Sequence, residues 1–308
     1  VATATATATA ARPLPPCLPA SLPSSPGALK GYFSDEFVRN FVKKSDAVRA
    51  RSLPPLINRG YYARHMLIRS LLLHFLEFSK PSAGPAQVVI LGCGFDTLYF
   101  QLRDAGEINA DVLYVECDFP DVVEAKQSIL GGLGLGAQER YSLVGADLRD
   151  VDGLMAKLQE AGIRRDAPTF FLAECVLVYM EVGHSNALLR RVSSEFPAAM
   201  AVVYEQVNPN DPFGRQMMFN LRARGCPLKG VLESLEAQRQ RMTQCGWEDA
   251  RSEDLLRLFN TCIPRAEIAR INRLEMMDEE EEWNLLLQHY SITTARNGSL
   301  IPLFRDTL

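Results

Sequence analysis

Four stretches of this sequence place a glycine or a carboxylate directly after a short apolar run. LGCG (91–94) follows QVVI, ECDF (116–119) follows DVLYV, GADLRD (145–150) follows YSLV, and AEC (173–175) follows PTFFL. Glycine lets a backbone turn tightly and approach a ligand closely. An acid about 20 residues beyond such a turn can accept hydrogen bonds from both hydroxyls of a ribose. Glu116 and Asp118 both suit that task, because alternate residues of a regular strand share a face. Asp147, with the Leu148 backbone beside it, can meet the amino group of an adenine. Glu174 is a carboxylate inside an apolar run, costly there unless paired.

Together these groups describe a nucleoside site at one rim. The third glycine of a dinucleotide fingerprint would fall on Thr97, and no GxxxxGK[ST] is present. Both absences argue against NAD and nucleoside triphosphates. S-adenosyl-L-methionine has adenine, ribose and an amino acid but no phosphate, so it suits a glycine turn, a ribose acid and an adenine acid.

The elements that must carry these residues alternate. Apolar runs at 87–94, 111–119, 141–148, 168–179 and 200–207 are separated by segments of helical composition such as 121–130 and 151–162. That alternation predicts βαβ units and a parallel sheet buried on both faces. Upstream, 33–42 reads as a short amphipathic helix with Asp35 near its start, 52–60 as a Pro-punctuated loop, and 61–80 as a long helix. Downstream, 214–225, 232–247, 252–260 and 264–290 all read as helices, and the acid run Asp278–Glu282 as a solvated helix start.

The chain has 308 residues and a net charge of −4. One α/β unit with additions is expected: residues 1–30 as a disordered or unreliable segment, rich in Ala, Thr, Pro and Ser, and 31–308 as the catalytic domain, with helical additions at 31–80 and 208–290. The acidic balance disfavours nucleic acid. No apolar run is long enough for a membrane span. The seven cysteines are scattered without a CxxC pair, which implies no metal site and reduced thiols in an intracellular protein. The expectation is a cytoplasmic monomer.

INRGYYAR, ILGCGFDTLYFQL, VECDFPDVVEAK, LVGADLRD, AECVLVYM, YEQVNPNDPFG and PRAEIARI occur in order between Gly31 and Tyr290. Together they resemble the leucine carboxyl methyltransferase family. The resemblance implies a Rossmann-like S-adenosylmethionine-dependent methyltransferase fold with an N-terminal helical lid and an added C-terminal helical region. It implies methyl esterification of the α-carboxylate of the C-terminal leucine of the protein phosphatase 2A catalytic subunit, the expected partner. By motif it places cofactor binding on Arg64, Gly92, Asp118, Asp147, Leu148 and Glu174, and so chooses Asp118 over Glu116. The family's upstream basic residue falls on Ser24 here, with Lys30 as a possible substitute. Arg59 is weighed as structural rather than functional.

A C-terminal carboxylate, with a pKa near about 3.5, is already ionised at neutral pH. Its attack on a methyl sulfonium needs no general base, so no catalytic acid–base residue is assigned. Tyr179 and Tyr204, near strand ends, are candidates for the substrate pocket. Two alternative readings stand beside it: a tRNA wybutosine-type carboxyl methyltransferase, disfavoured by the acidity and the absence of kelch-type repeats, and a non-catalytic phosphatase-binding protein.

Overall fold

The computed structural model describes residues 27–28, 30–41, 53–79, 85–136 and 138–303. The expectations for 1–26, including the position of Ser24, lie outside the described residues.

Seven strands form one sheet in the order β3-β2-β1-β4-β5-β7-β6. The parallel part comprises β1 (Gln87–Leu91), β2 (Leu113–Asp118), β3 (Tyr141–Gly145), β4 (Thr169–Glu174) and β5 (Ala199–Gln206). These are the five apolar runs of the sequence, and β1 and β5 are buried along their whole length. After β1 the chain builds outward to β2 and β3; it then returns to β4 and builds the other way. The crevice beyond the carboxyl ends of β1 and β4 is therefore the topological switch point, where ligands of open α/β sheets bind.

Helices cover both faces. On one side α2 (Pro55–Ser79) and α3 (Leu98–Asp104) pack Leu67, Leu71, Phe75 and Phe100 against Val88, Ile90 and Phe170. On the other, α5 (Val151–Glu160) and α6 (Val182–Glu195) pack Leu154, Leu158, Leu188 and Val192 against Val89, Val115 and Phe171. Between α3 and α5, α4 (Pro120–Gly132) follows β2.

The regions expected to be helical additions differ in detail. The helix expected at 33–42 shrinks to α1 (Val38–Phe41), with Asp35 accepting the amides of Phe37 and Val38. The expected loop at 52–60 is mostly helix: α2 starts at Pro55, where a proline costs no hydrogen bond because first-turn amides have no helical partner. Beyond β5, α7 (Pro212–Ala223), α8 (Leu235–Gln244), α9 (Leu255–Cys262), α10 (Arg265–Asn272) and α11 (Glu280–Gln288) are interrupted by two strands the sequence reading lacked. These are β6 (Asp249–Asp254) and β7 (Tyr290–Arg296), both antiparallel to their neighbours. The helix expected over 264–290 breaks at 273–279, where Glu275 accepts hydrogen bonds from Lys30, Tyr32 and Asn58. Glu280, Glu281 and Glu282 occupy the first turn of α11, as read. Cys93, Cys117, Cys175, Cys245 and Cys262 are free, whereas Cys226 is disulfide-bonded, which corrects the reading of uniformly reduced thiols.

Candidate active site

The switch-point crevice is a narrow cleft, partly open to solvent, lined by residues including Tyr61, Arg64, His65, Gly92, Asp96 and Glu174.

Arg64 projects from α2 and pairs through Nε with Glu174, the last residue of β4. Its guanidinium carbon also lies 4.8 Å from the centroid of the Tyr204 ring. Burial works against both charges. Even so Arg64 is held above its ordinary value by Glu174, while burial outweighs Arg64 and raises the Glu174 carboxyl. The pair thus answers the question a carboxylate in an apolar run posed. It uses one of the five N–H donors of the guanidinium, a planar group suited to forked carboxylate recognition.

Gly92 follows β1 with φ +75°, and a Cβ there would come within 2.5 Å of Val176 Cγ2. This is the close approach glycine permits. Its amide and that of Cys93 donate to Cys117 O at 2.8 and 3.0 Å, tying the loop to β2.

The two candidate acids differ sharply in burial and partners. Glu116 is fully buried, paired with Lys126 and accepting from Tyr141 Oη at 2.7 Å. Lys126 also donates to Asp96 O at 2.7 Å. This group is structural. Asp118 stands at the strand end, where Oδ2 accepts from the Gly94 amide and Oδ1 from the Phe119 amide, each at 2.7 Å. Burial raises its carboxyl, against those two amides. Asp118 pairs in register with Gly145, and its carbonyl accepts from the Ala146 amide at 2.7 Å, so the β3 end lies beside it.

Asp147 and Leu148 follow β3. Asp147 forks with Arg149, which holds its carboxyl below the ordinary range, and Leu148 is buried against the α5–α6 side. The structure therefore gathers Arg64, Gly92 and Glu174 in the cleft, with Asp118 reaching the same loop through Gly94. It leaves Asp147 engaged with its own neighbour. The residues fit S-adenosyl-L-methionine: a glycine cradle closed to any Cβ, a buried cation for its carboxylate and an acid at the second strand end.

Tyr204 is buried and stacks on Tyr290 with centroids 5.4 Å apart. Tyr179 sits on the 3₁₀ turn Leu177–Tyr179, where burial raises its phenol. Sequence reasoning did not single out Tyr61 and Asp96, which line the cleft, nor Tyr290, which stacks behind Tyr204. The first had a signal in the YYAR block; Tyr290 was absorbed into a helix reading. His65 lines the cleft and stacks on Phe33 at 4.0 Å; burial, with Arg69 and Arg64, pushes it down to about 3, so its ring is neutral. Arg59 donates to Glu275 O at 2.9 Å and Lys30 pairs with Glu275, so both tie α2 and the N-terminal segment to the 273–279 bend. Among the described residues no cluster of metal-ligating side chains occurs.

The family model for leucine carboxyl methyltransferases matches residues 25–193. Leucine carboxyl methyltransferase 1 homolog of Arabidopsis thaliana is 38% identical, covering 88% of this chain and 85% of its own. The tRNA wybutosine-synthesizing protein 4 of Rattus norvegicus is 36% identical over 90% of this chain, but only 43% of that protein is covered. Among solved structures, a putative methyltransferase from Thermobifida fusca superposes with TM-score 0.57 at 16% identity, covering 91% of this chain and 95% of its own.

Proposed function

The chain belongs to the leucine carboxyl methyltransferase family, and from that premise we propose that it methylates the α-carboxylate of a C-terminal leucine, that of the protein phosphatase 2A catalytic subunit, using S-adenosyl-L-methionine. The observation that carries the reading is the Arg64–Glu174 pair beside the Gly92 turn: a buried cation and a cradle at the switch point.

Bound S-adenosyl-L-methionine supplies a methyl group on a positively charged sulfur, already electrophilic. Arg64 would take its carboxylate, Gly92 would let the backbone close on it, Asp118 would accept from the ribose, and Asp147 with Leu148 would face the adenine. Glu174 keeps Arg64 oriented and charged. Tyr179 and Tyr204 would wall the acceptor side.

The protonation states support an alignment mechanism. His65 is neutral with a depressed pKa, and burial pushes the Cys93 and Cys175 thiols and the Tyr61, Tyr179 and Tyr204 phenols upward. None of these is poised as a base near neutrality, and an acceptor carboxylate ionised above about pH 3.5 needs none. What the chain contributes is orientation and exclusion of water.

Incubation with tritiated S-adenosylmethionine and either intact phosphatase or phosphatase lacking its C-terminal leucine tests the reading. Base-labile label on the intact protein alone is expected. The rat wybutosine relative motivates a second acceptor, a carboxylate on tRNA. Label in a bulk tRNA arm, with none on phosphatase, would favour that acceptor.

A further inference from the structure

A carboxylate that this chemistry does not use lies directly beneath the site. Glu205, in β5 between Tyr204 and Gln206, is fully buried. Its Oε1 accepts from the Val178 amide at 2.8 Å, and the Leu177 amide and the Gln238 side chain lie near the carboxylate, although Oε2 closes no well-formed hydrogen bond. The counter-charge is Arg241 of α8, 3.7 Å away, whose Nη1 and Nη2 make no hydrogen bonds and whose Nε donates to Asn186 at 2.9 Å. A carboxylate and a guanidinium buried this incompletely are an expensive way to fill a core.

The segment that Glu205 grips explains the arrangement. Directly after Glu174, Cys175 adopts φ +55°, a conformation disfavoured for a residue with a side chain. Its amide donates to Tyr204 O at 2.7 Å. The chain then makes the 3₁₀ turn carrying Tyr179. Val178 is held on both sides: its amide by Glu205, and its carbonyl by the Lys229 and Gly230 amides at 2.8 and 2.9 Å. Leu177 and Val178 are fully buried, so water is no alternative partner for their amides.

We propose that Glu205 is a positioning residue for methyl transfer, holding as a carboxylate the strained 175–179 turn and through it the placement of Glu174 and Tyr179 about Arg64. The proposal rests on the methyl-transfer reading above. Glu205 does not itself line the cleft. Besides Arg241, the groups that face it are Gln238 of α8 and Cys175 and Tyr179 of the turn. Burial raises its carboxyl to about 7, against Arg241 and the Val178 and Leu177 amides. The sign of the consequence is distinctive. Protonation weakens the grip on the turn, so turnover falls as pH drops through about 7. The folded state binds this proton more tightly than an unfolded chain does, so the same acidification stabilises the fold through this group.

The test uses the full chain, wild type and Glu205→Gln/Arg241→Met. The second substitution removes the cation that the first would strand. For the wild type, kcat/KM toward the phosphatase should show an acid limb near neutrality, where the acceptor carboxylate is fully ionised. The double variant should be slower by roughly tenfold to a hundredfold at about pH 8 and lack the limb. Wild-type rates in the double variant, or a limb that persists there, overturn the proposal.

Hydrogen exchange of the Leu177 and Val178 amides, corrected for intrinsic rates, needs no acceptor. Protection should fall in the wild type between about pH 8 and about pH 6 and be independent of pH in the double variant. If the wild type methylates nothing, the functional reading fails by itself, and the exchange decides the role of Glu205. Protection independent of pH in the wild type overturns it.

Discussion

Arg64 and Glu174 are each costly to bury alone and tolerable as a pair. Arg64→Ala would strand a carboxylate that burial already raises, so its effects would mix folding with binding. Arg64→Lys keeps the charge and removes the planar fork. Losing hydrogen bonds to a charged group costs about 1.5–3 kcal/mol, or roughly tenfold to a hundredfold in Kd. Calorimetry with S-adenosylhomocysteine should show that loss with little change in melting temperature; unchanged affinity would remove Arg64 from the site. At Gly92 the argument is steric. Gly92→Ala meets both the positive φ and Val176, and should cost about 1–3 kcal/mol in urea unfolding. Val176→Ala in the same chain should recover part of that cost, because it relieves the clash and leaves the φ penalty. At this scale the sequence was legible wherever chemistry demanded a residue type: glycine at a turn, an acid at a strand end. It was silent between Glu116 and Asp118, because alternation puts both on one face. What separates them is that Lys126 and Tyr141 fold over one and backbone amides meet the other.

Elements carry the site by holding its loops. Lys126 of α4 reaches Glu116 of β2 and the carbonyl of Asp96, so one buried ion pair locks helix, strand and the loop after β1 together. Lys126→Met would leave Glu116 buried without its counter-charge, at a cost of about 3–5 kcal/mol. Burial, against Lys126, raises the Glu116 carboxyl even in the native protein, and without Lys126 it rises further. The native variant then takes up a proton at a pH where an unfolded glutamate has released it. Its deficit relative to wild type should therefore shrink on acidification and widen on approach to neutrality. Denaturant unfolding at about pH 5 and about pH 8 checks this, and a deficit independent of pH would mean Glu116 is not the stranded group. The same scale shows where patterning failed. The five parallel strands announced themselves as apolar runs because both faces are covered. β6, with the sequence DARSED, is polar and only its Ala250 is buried; an edge strand made by backbone pairing to β7 has no apolar pattern to read. β7 did carry Ile292, Thr293 and Thr294, but the preceding LLLQHY continued a helical period across its start. Pro54 and Pro55 read as a breaker although the second is a helix start.

Across the whole molecule the site joins parts that are distant in sequence. Arg64 comes from the helix before the sheet, Gly92 and Glu174 from β1 and β4 either side of the switch point, and Tyr204 from β5, which β7 covers from the C-terminal region. The N-terminal segment is tied across the top by Asp35 to Thr97 and Gln101, and by Lys30 and Tyr32 to Glu275. A ligand seated there binds only the assembled fold, so its binding energy appears as global stability. At a concentration of S-adenosylhomocysteine one hundred times Kd, the gain is about 2.7 kcal/mol. For a chain of this size that corresponds to a rise in Tm of about 4–5 °C. Asp118→Ala should lose most of that rise at the same ligand concentration, because it removes the proposed ribose acceptor and releases the Gly94 amide. Arg164→Ala, which breaks only an exposed pair with Asp166, should keep the full rise. Calorimetric scans of the three proteins with and without ligand measure it. Equal shifts in all three would place the ligand somewhere other than the crevice between β1 and β4, because no site elsewhere on the sheet would distinguish Asp118 from a surface arginine.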